Sequence, residues 1–258
     1  MTGVVSSAHP PSVLVLQHAA AEHAGSIGEA LRRAGCVLRR CNVSTGDDLP
    51  DINPDALVVM GGPQAAYDDA GFATRRREID LIAHCVSAGI PVLGVCLGAQ
   101  LLAAACGGRA LRGNGAEIGW GDVTLSDVPD RLFDGVGPTL PVLHWHADTF
   151  DPPAGSVVLA TSPRYVQAFR VGDRAWGLQF HLEVDEAIVA AFVAADPGGA
   201  VQGGGSEIVT EAPRYLSALE PVARLVARRF AELVIGAPAP AQSTRVTQPT
   251  RTSEAPPG

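Results

Sequence analysis

The heptapeptide Gly94-Val95-Cys96-Leu97-Gly98-Ala99-Gln100 lies between an apolar run at 91–95 and an apolar stretch at 97–106. The first run predicts a buried strand and the second a helix, so the G-x-C-x-G pattern matches a nucleophile elbow with cysteine in the serine position. Such a turn presents the nucleophile at the carboxyl end of the sheet, where the N-terminus of the next helix favours thiolate over thiol. The sequence therefore predicts Cys96 as a nucleophile, with the Leu97 N–H directed at a developing oxyanion.

The segments on both sides of this turn alternate between buried strand and helix. The predicted strands are 12–18, 37–43, 55–60 and 91–95, and the predicted helices are 26–33, 72–88 and 97–106. From residue 109 onward, short runs predict strands at 121–125, 139–144, 157–161, 166–171 and 175–180, with helices at 185–194 and 215–235. We therefore expect an α/β fold with an open, mostly parallel central sheet, helices on both faces and a small antiparallel strand extension.

The composition predicts one domain between two loose ends. The chain has 258 residues, of which 47% are hydrophobic, and this is enough to bury one large core. We predict a flexible N-terminus at 1–11, a domain at 12–235 and a disordered tail rich in Pro, Ala and Thr at 236–258. The glycine-rich stretch at 196–206 is predicted to be a loop.

A thiol nucleophile needs a base, and the best candidate lies in Gly177-Leu178-Gln179-Phe180-His181-Leu182-Glu183. In extended backbone, residues two apart project to the same face, so Glu183 can reach the imidazole of His181. The carboxylate would then fix the imidazole tautomer and stabilise the imidazolium. A lone cysteine turn or a lone histidine also fits a structural role, but their combination favours a catalytic Cys-His-Glu triad.

Three stretches, Met60-Gly61-Gly62-Pro63, 94–100 and 177–183, together resemble the class I glutamine amidotransferases. The chain is most similar to the stand-alone type that resembles the glutaminase domain of GMP synthase. The segments 117–121 and 144–148 extend the resemblance, which covers about residues 12–235 with the motifs in the expected order. The resemblance implies a flavodoxin-like fold and a catalytic triad of Cys96, His181 and Glu183.

The same resemblance implies the positions of the groups that surround the substrate. It implies an oxyanion hole formed by the backbone N–H groups of Gly62 and Leu97. It also places Gln100 and the backbone near His146 around the bound glutamyl group. The family usually has proline between the histidine and the glutamate, where this chain has Leu182. Proline fixes φ near about −65°, so we expect leucine to hold the same geometry less rigidly, with a modest effect.

The segment His144-Trp145-His146-Ala147-Asp148 offers an alternative, because His-x-His-x-Asp spacing also fits a metal-dependent hydrolase. The fuller version of that motif has a histidine directly after the aspartate, where this chain has Thr149. The sequence supplies no convincing second cluster for the remaining ligands. We therefore expect no metal and no cofactor, and we interpret the segment as part of the glutamine pocket.

Composition excludes several other classes of function. The formal net charge is −8 and the one dense basic run is 75–77, so nucleic acid is not an expected partner. All 19 basic residues are arginine, which excludes a Schiff-base lysine and a P-loop. No secretion signal and no apolar stretch of membrane-spanning length is visible, so no membrane association is expected.

The cysteines indicate a reducing compartment. Five are present, an odd number, and none forms a C-x-x-C motif. We therefore predict a cytoplasmic protein with reduced thiols. The four cysteines outside the elbow are interpreted as small core residues: Cys36, Cys41, Cys85 and Cys106.

The predicted function is that of a glutamine amidotransferase-type amidohydrolase. Cys96 would attack the γ-amide of glutamine or of a γ-glutamyl compound, and the resulting γ-glutamyl thioester would be hydrolysed to glutamate. The residues after 235 are too few for a synthetase domain, so one hypothesis is that ammonia passes to a separate synthetase subunit. The alternative is a stand-alone γ-glutamyl peptidase or hydrolase. A non-enzymatic module with the same fold is a third hypothesis.

Overall fold

The computed structural model describes residues 9–196 and 204–236. Within these ranges the strands are β1 Ser12–Gln17, β2 Val37–Asn42, β3 Ala56–Val59, β4 Val92–Val95, β5 Arg109–Leu125, β6 Thr139–Asp151, β7 Val157–Thr161, β8 Val166–Val171 and β9 Ala175–Leu178. The helices are α1 Gly25–Arg33, α2 Arg75–Ser87, α3 Leu97–Ala105, α4 Glu186–Ala194 and α5 Gly205–Ile235, and a 3-10 turn covers Val43–Thr45. The predicted disordered tail from 237 onward and the first eight residues of the predicted flexible N-terminus lie outside the described residues.

The described strands form one sheet in the order β2-β1-β3-β4-β9-β8-β7-β5-β6. Neighbours from β2 to β9 pair in parallel. Neighbours from β9 to β6 pair antiparallel, and the long hairpin of β5 and β6 forms the far edge. This arrangement confirms the predicted α/β class, with a parallel central sheet continued by antiparallel strands.

Helices cover both faces of the parallel part because successive strand residues point to opposite sides. Val13 and Val15 of β1 pack into the core that α1, α4 and α5 share. Leu14 and Leu16 of the same strand pack into the core that α2 and α3 share. Because β1 is buried on both faces, its sequence is a continuous apolar run without alternation.

Several elements differ from their predicted bounds. The predicted strands 121–125 and 139–144 are the ends of much longer strands, β5 and β6. The predicted helix 72–88 begins at Arg75, and the strand predicted to reach residue 43 ends at Asn42. The loop predicted at 196–206 overlaps α5, which begins at Gly205, while 197–203 lies outside the described residues.

Helix α5 is the longest helix and differs most from its prediction, which began at residue 215. It contains Pro213 and Pro221 in its interior. A proline in a helix removes one backbone hydrogen bond, so a local reading of the sequence ends a helix near it. This cost is offset because Leu219, Ala223 and Phe230 pack into the core that α5 shares with α1 and α4. None of the helices in residues 9–196 and 204–236 is both long and apolar enough to cross a bilayer.

Candidate active site

Three adjacent parallel strands, β3, β4 and β9, bring the predicted catalytic residues to one edge of the sheet. Gly61 and Gly62 follow β3, Cys96 follows β4, and His181 follows β9. The Cys96 N–H donates to the Leu178 carbonyl oxygen at 2.7 Å, which ties the elbow to the end of β9. The candidate site therefore lies where open α/β folds bind ligands, at the carboxyl ends of the strands.

The elbow is strained and tightly packed. Cys96 has φ 51° and ψ −108°. Among the described residues it is the only non-glycine residue with a positive φ. A Cβ on Gly94 would lie 2.4 Å from the Gly98 carbonyl oxygen, and a Cβ on Gly98 would lie 2.0 Å from the Val59 carbonyl oxygen. Only glycine fits at both positions, as the G-x-C-x-G pattern predicted.

We expect Gly98→Ala to destabilise the protein by more than about 2 kcal/mol, because its methyl group would overlap the backbone of β3. The effect is measured by denaturant unfolding of the two proteins. Gly137→Ala is the matched control, since Gly137 has no heavy atom within 4 Å of the added Cβ. Equal unfolding free energies for the two variants would contradict the proposed packing.

The predicted triad residues are brought together and buried. The His181 Nδ1 lies 2.7 Å from the Glu183 Oε1, and the Leu182 N–H donates to the Glu183 Oε2 at 3.0 Å. The His181 Nε2 has no oxygen or nitrogen partner among the described residues and faces the Cys96 thiol. The proline that is usual at this position has no N–H and could not donate this hydrogen bond to Glu183.

The thiol and the imidazole influence each other's ionisation. Burial raises the pKa of the Cys96 thiol, while His181 and the N–H of Leu97 act in the opposite direction. Burial also acts to lower the pKa of His181, but the Glu183 carboxylate and the Cys96 thiol outweigh it and raise that pKa well above its usual value. His181 is therefore a stronger base than a free imidazole and is suited to accept the thiol proton.

The two residues of the predicted oxyanion hole lie next to each other, and Leu97 follows Cys96 in the chain. The Leu97 N–H acts to lower the pKa of the Cys96 thiol. A Cβ on Gly62 would lie 3.1 Å from the Leu97 Cδ2, so the two predicted N–H donors belong to packed neighbours. The Cys96 thiol lies 3.8 Å from the Trp145 carbonyl oxygen, which brings the backbone next to His146 to the nucleophile.

The remaining predicted pocket residue, Gln100, is buried in the first turns of α3. Its side-chain amide donates to the Gln179 Oε1 at 3.2 Å. This bond holds Gln100 against the segment that follows β9 and carries His181. The prediction that Gln100 contacts a bound glutamyl group remains a prediction.

The segment considered as a metal motif forms a different cluster. His144 and His146 meet Glu117 of β5, with ligand atoms within 4.8 Å of one another. The Asp148 side chain instead accepts a hydrogen bond from the Tyr67 hydroxyl at 3.4 Å. Two histidines and a carboxylate are a donor set that suits zinc.

Hydrogen bonds already occupy most of that donor set. The Gln167 amide donates to the Glu117 Oε2 at 2.6 Å, and the His146 Nε2 lies 3.3 Å from the same oxygen. The His146 Nδ1 donates to the Asp148 carbonyl oxygen at 2.9 Å. Burial lowers the pKa of His144 to about 4, so this ring is neutral at physiological pH. The network orients His146.

A buried pair that the sequence did not reveal supports the two glycines after β3. The His18 Nε2 lies 2.7 Å from the Glu78 Oε2, and the His18 Nδ1 lies 3.1 Å from the Met60 carbonyl oxygen. The Thr74 hydroxyl donates to the other Glu78 oxygen at 2.7 Å. A Cβ on Gly62 would lie 2.4 Å from the His18 Cβ, so the buried pair packs directly against Gly62 of the predicted oxyanion hole.

We expect Glu78→Ala to lower the free energy of unfolding by about 3–5 kcal/mol, since it leaves the ring of the buried His18 without its side-chain hydrogen-bond partner. The control is Glu29→Ala, which breaks an exposed pair with Arg33 worth less than about 1 kcal/mol. Urea unfolding of both variants tests the difference. Similar values for the two would contradict a supporting role for the buried pair.

The other four cysteines lie away from this centre. Burial raises the pKa of each thiol, to about 12 for Cys85. Cys36, Cys41 and Cys85 are buried and Cys106 is partly buried. Burial also raises the pKa of Cys96, but no histidine acts on the ionisation of these four thiols as His181 acts on Cys96, which agrees with their interpretation as packing residues.

Comparison with known proteins identifies the family of this chain. The family profile of class-I glutamine amidotransferases matches residues 21–188. The chain belongs to the class I glutamine amidotransferase family. The family resemblance predicted from the sequence motifs is thereby confirmed, and the matched range contains the elbow, the two glycines after β3 and the His-x-Glu pair.

Solved structures of this amidotransferase family resemble the whole domain. A glutamine amidotransferase from Thermotoga maritima is 30% identical with a TM-score of 0.78, and covers 87% of this chain and 99% of its own. One from Methylobacillus flagellatus is 28% identical with a TM-score of 0.80, and covers 87% of this chain and 95% of its own.

Curated relatives of this amidotransferase include longer proteins. A glutamine-hydrolysing GMP synthase from Listeria innocua is 34% identical over 143 residues, which are 54% of this chain and 26% of the relative. The chain therefore spans about a quarter of the length of the curated relatives it matches.

Proposed function

We propose that this amidotransferase is a cysteine-dependent hydrolase of the γ-amide of glutamine or of a γ-glutamyl compound. The observation that carries the proposal is the succession of three buried groups, Cys96, His181 and Glu183, at the strand ends. The 2.7 Å bond between His181 and Glu183 leaves the other ring nitrogen facing the thiol. Nucleophile, base and orienting carboxylate are the parts that acyl transfer requires.

The proposed reaction proceeds through a thioester. The Cys96 proton moves to the His181 Nε2 as the sulfur attacks the amide carbon, and the oxyanion accepts hydrogen bonds from the N–H groups of Gly62 and Leu97. The C–N bond then breaks, and His181 gives its proton to the departing nitrogen. Water, activated by the same imidazole, hydrolyses the thioester, releases glutamate and restores the thiol.

The destination of the nitrogen is the second part of the proposal. The matched relatives are named as glutamine-hydrolysing GMP synthases, and this chain spans only about a quarter of their length. The name of these relatives supports a role in which the ammonia released from glutamine is passed to a synthetase. A stand-alone γ-glutamyl peptidase or hydrolase is the alternative.

Labelling with diazo-oxo-norleucine, a glutamine-mimicking electrophile, tests the proposal. We expect mass spectrometry to find the label on Cys96, and we expect glutamate release from glutamine. The matched control is Cys106→Ser, which removes a partly buried thiol outside the site and is expected to change neither result. Turnover of γ-glutamyl dipeptides but not of glutamine would favour the stand-alone peptidase. Label on other thiols alone would contradict the proposal.

A further inference from the structure

Glu22 lies in the loop between β1 and α1, and the proposed reaction does not use it. Its carboxyl oxygen, the Cys96 sulfur and a His181 ring nitrogen lie within 4.8 Å of one another. The residue as a whole is only partly buried, but its carboxyl is enclosed by protein. An acidic group is thus present within reach of any molecule that contacts the nucleophile.

The two glycines after β3 show on which side of the thiol this carboxyl lies. A Cβ on Gly61 would lie 1.8 Å from the Glu22 Oε2 and 3.2 Å from the His181 Cε1. A Cβ on Gly62 would instead meet His18, Gln64 and Leu97, and not Glu22 or His181; Leu97 belongs to the predicted oxyanion hole. Glu22 therefore lies on the imidazole side of the thiol. Because His181 gives its proton to the departing nitrogen, this is the side of the leaving group.

Burial and neighbouring charges control the ionisation of this carboxyl. Burial raises the pKa of Glu22, and the Glu183 carboxylate adds to the rise, while His181 and His18 act in the opposite direction. The charge of Glu22 in turn raises the pKa of the Cys96 thiol. The Glu22 carboxylate therefore interacts electrostatically with Cys96 and His181. Its negative charge grows as the pH rises.

We propose that Glu22 is a specificity residue that selects the leaving group, an inference that rests on the proposed function. When the C–N bond breaks, the nitrogen takes the His181 proton and departs beside the Glu22 carboxylate. Because one proton from His181 releases a neutral nitrogen, the carboxylate acts on the other charges of the leaving group: it attracts a second, cationic amino group and repels a carboxylate. The favoured substrates are therefore γ-glutamyl derivatives of amines that carry a cationic group, glutamine is accepted, and γ-glutamyl amino acids are disfavoured.

Two substrates of similar size test this selection: the mono-γ-glutamyl amide of ethylenediamine and γ-glutamylglycine. Their leaving groups differ mainly in the sign of the terminal charge. We expect the wild-type protein to prefer the cationic one in kcat/KM, and Glu22→Gln to reduce this preference by about tenfold. In the pH range where the amino group of the substrate stays protonated, the wild-type preference is expected to increase with pH, whereas that of Glu22→Gln stays constant, because glutamine does not titrate.

Glu29→Gln is the matched control, since Glu29 is exposed on α1 and pairs with Arg33 away from the site. It is expected to keep the wild-type preference. An unchanged preference in Glu22→Gln would overturn the inference. An equal loss of kcat/KM on both substrates would also overturn it, because such a loss describes a residue that positions His181 and does not discriminate between leaving groups.

Alkylation of Cys96 gives a second test that does not require turnover. Iodoacetamide and iodoacetate have similar shapes, and only the second is an anion. We expect Glu22→Gln to raise the ratio of the two alkylation rates of Cys96, iodoacetate over iodoacetamide, by about tenfold. No change in this ratio would overturn the role of Glu22. Hydrolysis that survives in Cys96→Ala would instead overturn the proposed function, so the two failures are distinguishable.

Discussion

We expect Cys96→Ala to reduce the hydrolysis of γ-glutamyl amides by at least about 10⁴-fold, the size of loss seen when a covalent nucleophile is removed. Without the sulfur there is no thioester, and His181 can only activate water directly against the amide. The two predicted oxyanion donors, the N–H groups of Gly62 and Leu97, remain in place and account for the residual rate.

The measurement is glutamate release from glutamine and from γ-glutamyl amides, compared with the wild-type protein. The fold is checked by thermal unfolding, because position 96 has φ 51° and alanine must accept the same strain. Cys106→Ala is the control for the loss of a thiol. A Cys96→Ala protein with full activity and a normal unfolding curve would show that the reaction uses another group.

The parallel half of the fold could be predicted because its signals are local. A strand buried on both faces is a continuous apolar run, and β1, β3 and β4 are each followed by a helix that has a glycine just after its end. The short antiparallel strands at 157–161 and 166–171 have the predicted bounds for the same reason. In these elements, local sequence preference and tertiary structure agree.

The long hairpin could not be predicted in full, because its first half lacks a local strand signal. The part of β5 before residue 121 contains Gly113, Gly115 and Gly119, which favour turns in a local reading. Pairing with β6 holds this segment extended, and the register shifts between Arg112 and Glu117. Cross-strand pairing of this kind is a property of the tertiary structure.

The residues of the candidate site also fall into those with a local sequence signal and those without one. Cys96 and the His181–Glu183 pair were predicted because each carries its signal within a few residues, as a turn pattern or as spacing along a strand. The His18–Glu78 pair was missed because its partners are 60 residues apart in the chain. Glu22 was missed because it stands alone in a loop of small residues.

A signal for Glu22 was nevertheless present in the sequence. The strand of 12–18 ends at the same edge of a parallel sheet as the strand before Cys96, so polar residues just after it converge on the elbow. Glu22 is the acidic residue in that loop, between the end of β1 and the start of α1. Side chains that follow each parallel strand are therefore candidates even when they match no motif.

We expect Glu183→Gln to lower kcat by about 10³–10⁴-fold, as removal of the orienting carboxylate does in related catalytic arrangements. The Glu183 carboxylate accepts hydrogen bonds from both the His181 Nδ1 and the Leu182 N–H, at 2.7 and 3.0 Å. A glutamine amide has only one accepting oxygen, so either the ring or the backbone N–H must face its NH₂ group. When the ring faces it, the wrong tautomer is favoured and the Nε2 can no longer accept the thiol proton.

The pH dependence separates this role from a purely structural one. Burial acts to lower the pKa of His181, and the Glu183 carboxylate is the main influence that raises it well above its usual value. In Glu183→Gln the pKa of His181 is therefore expected to fall, and the pH profile of the residual activity shifts to lower pH. The matched control is Glu186→Gln, an exposed change in the first turn of α4, which should retain wild-type rates and pH profile. Loss of activity with an unshifted profile would show that Glu183 holds the backbone rather than orienting the imidazole.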